Sequence, residues 1–368
     1  MRVLYLLDGF DTPYQKLMEY VTNLPGCSVV ALCGGKSMPQ AKGLVARTAF
    51  RSRGKLDLLA ILELRRRIVA GQFDIIHANN SRMLANALLA TQHLVRAPQV
   101  CGFMGHLGRF SRWNLVHRMT YLHRRVAGVW CNCRAAAEPL ARAGVPSAKL
   151  FIVHAGHPFH RRPAPPNLNL RRELGIPDDA VVVGFTGNMR RVKGVDLLLE
   201  AALELQAVKS IHWLLLGRIE DRRVEELANH PAIRDRVHCL GWRDDAERFL
   251  TAMDIFAMPS RSEGFSRSIT EAMEVGLCPV ATRVGGTPEL VRDGVDGLLT
   301  PREDVPALAS ALRRVAEDSD LRRTLASSAR ERIRTEFTVE RMGQQIFAMY
   351  EAVLARAGGL HKLSSRAA

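Results

Sequence analysis

The chain has no C-x-x-C pair, no apolar run reaching the roughly 18 residues a membrane-spanning helix needs, and no low-complexity tract long enough to suggest disorder. Aromatic residues are scarce, at 6%. The seven cysteines (27, 33, 101, 131, 133, 239 and 278) are odd in number and mostly sit inside apolar runs. They are expected to be buried, reduced thiols in a cytosolic protein. The opening MRVLYLLDGF carries too short an apolar stretch for a secretion signal. The expectation is therefore a soluble or peripherally attached chain.

Apolar material, by contrast, is plentiful. Hydrophobic residues make up 47% of 368, which supports a packed core throughout, and the length exceeds what one core usually organises. Two domains are expected. The formal charge of +15 is unevenly placed: residues 1–160 carry 21 Lys and Arg against 7 Asp and Glu, and residues 161–368 carry 31 against 30. One half is strongly basic and the other nearly neutral.

Short β-rich apolar runs alternate with longer stretches of helical periodicity, the pattern of a parallel sheet wound with helices. Strands are predicted at 2–7, 28–33, 74–79, 98–103, 128–132 and 150–155. The pattern breaks at GHPFHRRPAPPNLNL, where four prolines and polar residues read as a linker. It restarts with strands at 180–187, 211–217, 236–241, 254–259 and 278–283, and from Asp304 onward the reading is almost wholly helical. The fold class expected is α/β, with two Rossmann-like doubly wound domains facing a cleft. Residues 1–160 form the first, 161–340 the second, and 341–368 a helix packing back toward the first, plus a tail. Such folds bind ligands at the carboxyl ends of their strands.

The most informative stretch is MPSRSEGFSRSITEAMEVGLCPVATRVGGTPELVRDGVDGLL, in which Glu263 and Glu271 are separated by seven residues. Glu263 is read in a loop leaving a strand, Gly264 allows close backbone approach to a ligand, and a helix begins near Phe265 to Ser268. Free N–H groups at that helix start would suit a diphosphate. Another reading takes Ser268-Ile269-Thr270-Glu271 as a capping box and Glu263 as solvated loop. The block resembles the retaining E-x7-E glycosyltransferases of GT-B fold, family 4-like. The resemblance rests on both acids, Gly264-Phe265, Glu271-Ala272-Met273, the Gly-Gly-Thr-Pro-Glu segment and the Asp-Gly-x-x-Gly turn. It implies that Glu263 holds the transferred sugar and Glu271 the ribose of a nucleotide, with Gly264, Phe265 and Ser266 lining the donor.

A second stretch, FTGNMRRVKGVDLLLEA, reads as strand, basic loop and helix. In the family such a loop supplies an Arg and a Lys to the donor phosphates. Lys193-Gly194 matches, but Asn188 stands where Arg is common, so Arg190 or Arg191 takes that role; a solvated basic loop is the plain alternative. Gly9, in the turn after the first strand, is carried over as a contact to the donor phosphates or the acceptor. His106, just past a predicted strand end, is the candidate for touching the sugar, with His77 behind it. Trp242 lies where relatives touch the base, although packing alone would explain it. Asp318-Ser319-Asp320 reads as a helix boundary, and no required metal or other cofactor is expected.

The resemblance implies a hexosyltransferase-like enzyme that moves a sugar from a nucleotide diphosphate donor, UDP-sugar favoured, to an acceptor hydroxyl with retention. Cations would stabilise the leaving diphosphate in place of a metal. The rival readings are a nucleotide-sugar epimerase, which needs no acceptor, and a basic nucleic-acid-binding protein, for which no recognition motif is present. The basic half, with 43–71 read as a cationic amphipathic segment and further arginines at 109, 112, 118, 124 and 125, points to an anionic membrane surface. A lipid-linked or anionic glycan acceptor on the cytoplasmic face, in envelope glycolipid, lipopolysaccharide or polysaccharide assembly, is the expectation.

Overall fold

The computed structural model describes residues 1–7, 12–34, 46–50, 52, 54–158 and 167–364; Gly9 lies outside them, as does most of the linker. The chain forms two compact units, Met1–Pro158 with Phe337–Ala368, and Phe159–Glu336. Asn167, the last polar residue before LNL, ends the linker sooner than its composition suggests. Its side chain accepts the N–H of Leu170 and caps the helix Leu168–Glu173.

The first unit holds seven parallel strands: β1 (Arg2–Leu7), β2 (Ser28–Cys33), β3 (Ala46–Ala49), β4 (Ile75–Ala78), β5 (Gln99–Met104), β6 (Val126–Cys131) and β7 (Leu150–Ile152). Their order is β3-β2-β1-β4-β5-β6-β7. Successive side chains of a strand face opposite ways, and both faces of this sheet are covered, so β1 reads as an unbroken apolar run. Leu4 and Leu6 pack with Leu64, Ile68 and Leu84 from the helices Leu58–Gly71 and Ser81–Ala90. Val3, Tyr5 and Leu7 pack on the other face with Ile346, Tyr350 and Val353 of the helix Val339–Ser364.

The second unit holds β8 (Val181–Thr186), β9 (Ile211–Leu216), β10 (Val237–Cys239), β11 (Ile255–Met258), β12 (Cys278–Thr282) and β13 (Leu298–Thr300), in the order β10-β9-β8-β11-β12-β13. All pairings are parallel. Two strands, β3 and β13, were absent from the sequence-based expectation. Both lie at sheet edges and are too short to carry a readable pattern, although β13 is buried along its length. The segment 43–71 is accordingly not one amphipathic stretch: it contains β3, and its helix begins only at Leu58, capped by Asp57. Asp318 does mark a helix boundary. It closes the helix Val305–Glu317, and its Oδ1 accepts the N–H groups of Asp320 and Leu321 in the next.

His77 belongs to the core. It is fully buried in β4, and its Nδ1 lies 2.6 Å from the hydroxyl of Tyr350, which lies 2.6 Å from that of Tyr5. The ring stacks on Tyr5 and meets Trp130 edge-on. Burial pushes its pKa down to about 3. On β9 and β10, His212 and His238 stack with centroids 5.5 Å apart. Burial, and then the neighbouring His238, brings His212 down to about 4. Both groups are neutral when folded, whereas an unfolded chain protonates them from about pH 6.5 downward. Stability is therefore expected to fall as the pH drops from 6.5 towards 4. Thermal unfolding across that window checks this; a melting temperature that holds or rises on acidification contradicts it.

Candidate functional site

In the second sheet β8 is flanked by β9 on one side and β11 on the other, so the chain winds outward in opposite directions from that pair. The loops leaving the carboxyl ends of β8 and β11 meet at this switch point, where doubly wound sheets bind ligands. The β8 loop carries Arg190, then a 3-10 turn at Arg191–Lys193, then Gly194 and the helix Val195–Glu204. The β11 loop runs from Pro259 through Glu263 to the helix Arg267–Val275.

These loops bring Lys193 and Glu263 together. Lys193 Nζ donates to Glu263 Oε2 at 2.6 Å, with both side chains largely shielded from solvent, and Ser260 Oγ lies 3.3 Å from the same oxygen. The backbone oxygen of Glu263 accepts the N–H of Gly286, tying in the Gly-Gly-Thr segment. Gly194 is required for the approach of the loops. Its φ is +70°, and a Cβ there would come within 1.9 Å of the Pro259 carbonyl oxygen.

Arg261 clamps the two loops. Its guanidinium donates to both Asp196 oxygens at 2.7 Å, to Glu303 at 2.8 Å and to the Arg191 carbonyl at 2.7 Å; its backbone N–H donates to the Val192 carbonyl. The Asp196 hydrogen bonds raise the Arg261 pKa against the opposing effect of burial. Burial also acts to raise the Asp196 carboxyl, but the guanidinium overrides it and holds the group below its ordinary range. Neither Arg261, Asp196 nor Glu303 was among the sequence candidates.

The helix Arg267–Val275 starts with Ser266 in extended conformation, and the Ser266 side chain makes no capping hydrogen bond. Ser268 lies inside the helix with its hydroxyl donating to the Thr186 carbonyl at the end of β8, so the Ser268–Glu271 capping box does not form. The helix start is thus anchored on β8, and the Ser266 side chain does not cap it. Phe265 and Ser266 are buried beneath it, Gly264 is half-buried, and Glu271 lies half-buried in the second turn.

Arg190 and Arg191 are exposed beside Lys193. Trp242, past β10, is 61% exposed rather than packed, and the guanidinium of Arg218 lies 5.9 Å from its ring. Arg218 follows β9, and its carbonyl accepts the N–H of Met189 from the β8 loop. It is a further cation at the same sheet end, unmarked in sequence because it lies in no motif. His106 is exposed two residues beyond β5 of the first unit.

Comparison with known proteins bears on the family and the fold. A model described as "Glycosyltransferase Family 4" matches residues 25–161, and one described as "Glycosyl transferases group 1" matches residues 180–318. The chain belongs to these glycosyltransferases, one domain of the pair in each half. It is 34% identical over 196 residues to a D-inositol 3-phosphate glycosyltransferase of Corynebacterium urealyticum, covering 50% of this chain and 46% of that protein. It is also 34% identical over 170 residues to the lipopolysaccharide core biosynthesis glycosyltransferase LpsE of Rhizobium meliloti, covering 46% and 49%. The chain thus spans about half the length of these curated relatives. Among solved structures, Anabaena Alr3699/HepE in complex with UDP superposes with a TM-score of 0.80 at 22% identity, covering 96% of this chain and 100% of that one. The same protein in complex with UDP-glucose gives 0.79 at 23%, with the same coverage. These likenesses establish the two-domain Rossmann-like fold.

Removing the clamp would leave the Asp196 carboxylate, whose side chain is 5% exposed, without its partner. Arg261→Ala is expected to cost about 3 kcal/mol of stability, the scale for breaking one side of a buried ion pair. Arg261→Lys is expected to recover only part, because an ammonium cannot reproduce the fork. Urea unfolding checks this; an unchanged midpoint for Arg261→Ala contradicts it.

Proposed function

We propose that this chain transfers a sugar from a nucleotide diphosphate sugar to an acceptor hydroxyl, with retention at the anomeric carbon and no required metal. The observation that carries the reading is the Lys193–Glu263 pair, set beside the start of the helix Arg267–Val275 and a basic loop. In the reaction the bond from the anomeric carbon to the diphosphate breaks, a bond to the acceptor oxygen forms, and the hydroxyl proton is released. Negative charge develops on the departing diphosphate. Lys193, Arg190 and Arg191 meet that charge together with the N–H groups at the start of the helix Arg267–Val275. Glu263 orients the sugar hydroxyls, and Glu271 the ribose. Metal independence rests on that set of cations, and retention rests on the E-x7-E resemblance.

UDP is the favoured nucleotide because Alr3699/HepE was solved with UDP and with UDP-glucose. Trp242 and Arg218 offer an exposed ring and cation for a base beside the β8 loop. His106 is assigned to the sugar. An envelope glycolipid or polysaccharide acceptor follows from the likeness to a lipopolysaccharide core enzyme. Attachment to the cytoplasmic membrane face is supported by apolar side chains turned outward in the basic half. On the helix Leu58–Gly71 only Ala60, Leu64 and Ile68 are buried, while Leu58, Leu59, Leu62 and Val69 are exposed. Packing on the sheet therefore leaves half of that apolar helix unexplained.

Glu263→Ala, Glu271→Ala and Lys193→Ala are each expected to lower turnover of a UDP-sugar by about a hundredfold or more while the protein stays folded. Near wild-type rates at saturating donor would contradict the assignment. Donor turnover should require an acceptor, since an epimerase would act without one. Chelation by EDTA is expected to leave turnover largely intact; complete loss restored by Mg²⁺ or Mn²⁺ would contradict the cation account.

A further inference from the structure

Part of the basic surplus of the first unit gathers around one cavity. Several of its carboxylates are already engaged: Asp57 accepts the N–H of Ala60, Asp74 accepts that of Arg2, Glu63 pairs with Arg67 and Glu138 with Arg142. Two arginines are engaged as well. Arg65 and Arg125 donate to the carbonyls of Leu88, Ala90, Thr91 and Gln92 at the carboxyl end of the helix Ser81–Ala90, where cations belong. Among the described residues Arg112, Arg118 and Arg124 enter no ion pair, and all three are exposed.

These three converge on one cavity of about 390 Å³, whose wall also contains His123 and Lys149 and has no carboxylate. An adjoining cavity of about 400 Å³ shares His123 and Arg124 and adds Arg125. Lys149 is fixed in place, its Nζ donating to the carbonyls of Arg124 at 2.9 Å and Val126 at 2.7 Å. Arg124 stands two residues before β6 and Lys149 immediately before β7, so the cavity lies at the amino ends of those strands. His106 follows the carboxyl end of β5, and a six-residue strand sets the two ends about 20 Å apart. The crowding is felt by its members. Burial, and then Arg125, Arg124 and Lys149, lowers the pKa of His123, and burial followed by Arg356 lowers that of Lys149. Like charges gathered with no counter-ion repel one another, and an anion relieves that cost.

We propose that this cavity is a second anion site, built from residues other than the donor loops, that takes a phosphate mono- or diester, either on a lipid headgroup or free in solution. Its surroundings favour the lipid. Trp113, Leu115 and Val116 are exposed beside Arg112, whose guanidinium lies 5.2 Å from the Trp113 ring. That arrangement suits the boundary between headgroups and acyl chains. The lipid source rests on the membrane reading above, whereas the site itself does not.

Two measurements on the full chain separate these statements. In a Lys193→Ala, Arg190→Gln, Arg191→Gln background, which removes the cations of the donor loops, inorganic phosphate at constant ionic strength is expected to raise the melting temperature. Adding Arg118→Gln and Arg124→Gln is expected to abolish that rise; an equal rise with and without them overturns the site. The second measurement is flotation with vesicles of phosphatidylcholine, alone or mixed with phosphatidylglycerol. A lipid source predicts partitioning onto the anionic vesicles about thirtyfold weaker for the Arg118→Gln, Arg124→Gln variant, from the loss of two surface cations. If the phosphate response is lost but flotation is unchanged, the site stands and its anion is soluble. If the wild type fails to float while the phosphate response persists, the site stands and the membrane reading falls.

Discussion

Arg261 presents five donors in a rigid fork, and nearly all of them serve to bind one loop to another. Its partners are the Asp196 carboxylate, the Glu303 carboxylate and the Arg191 carbonyl, so the turn carrying Lys193 and the loop carrying Glu263 are held as one piece. The 2.6 Å contact between Lys193 and Glu263 depends on that tie, as does the close pass of Gly194 against Pro259. A site that must receive a diphosphate and a sugar at fixed positions needs this rigidity, because electrostatic stabilisation works only when charges need not reorganise during the reaction.

A comparable tie organises the first unit. The hydroxyl of Tyr350 links Tyr5 of β1 to His77 of β4, so the helix Val339–Ser364, distant in sequence, is bonded to the two central strands of the sheet. Buried polar groups are costly unless paired, and here each hydroxyl has found a partner. His77, which sequence position alone had suggested for chemistry, is fully buried beside these groups, and that burial keeps its ring neutral and away from any ligand.

Much of the fold was legible because central strands of a parallel sheet are covered on both faces and so read as apolar runs. The edge strands Ala46–Ala49 and Leu298–Thr300 escaped because four and three residues are too few to show a pattern. The pieces of the proposed donor block were legible through local spacing: Glu263, Gly264 and the following helix are contiguous, and Lys193-Gly194 forms a recognisable turn. What escaped was long-range pairing. Arg261 lies 65 residues from Asp196 and 42 from Glu303, and nothing in the local sequence says that these charges meet. The apparent capping box failed because the helix starts at Ser266 and not at Ser268, a shift of two residues that turns a cap into a strand contact. Net charge was legible as well, but not its division between arginines that hold helix ends and arginines left to face an anion.

The central claim is that the β8 and β11 loops together hold the donor diphosphate. Hydrogen exchange of the full chain, with and without UDP-, GDP- and ADP-glucose, tests it most directly, because the candidate amides are those of the β8 loop from Gly187 to Gly194 and of the helix start from Gly264 to Ile269. The account predicts that whichever donor binds slows exchange in both segments at once. Slowed exchange elsewhere, with these two segments unchanged by a donor that demonstrably binds, would contradict it.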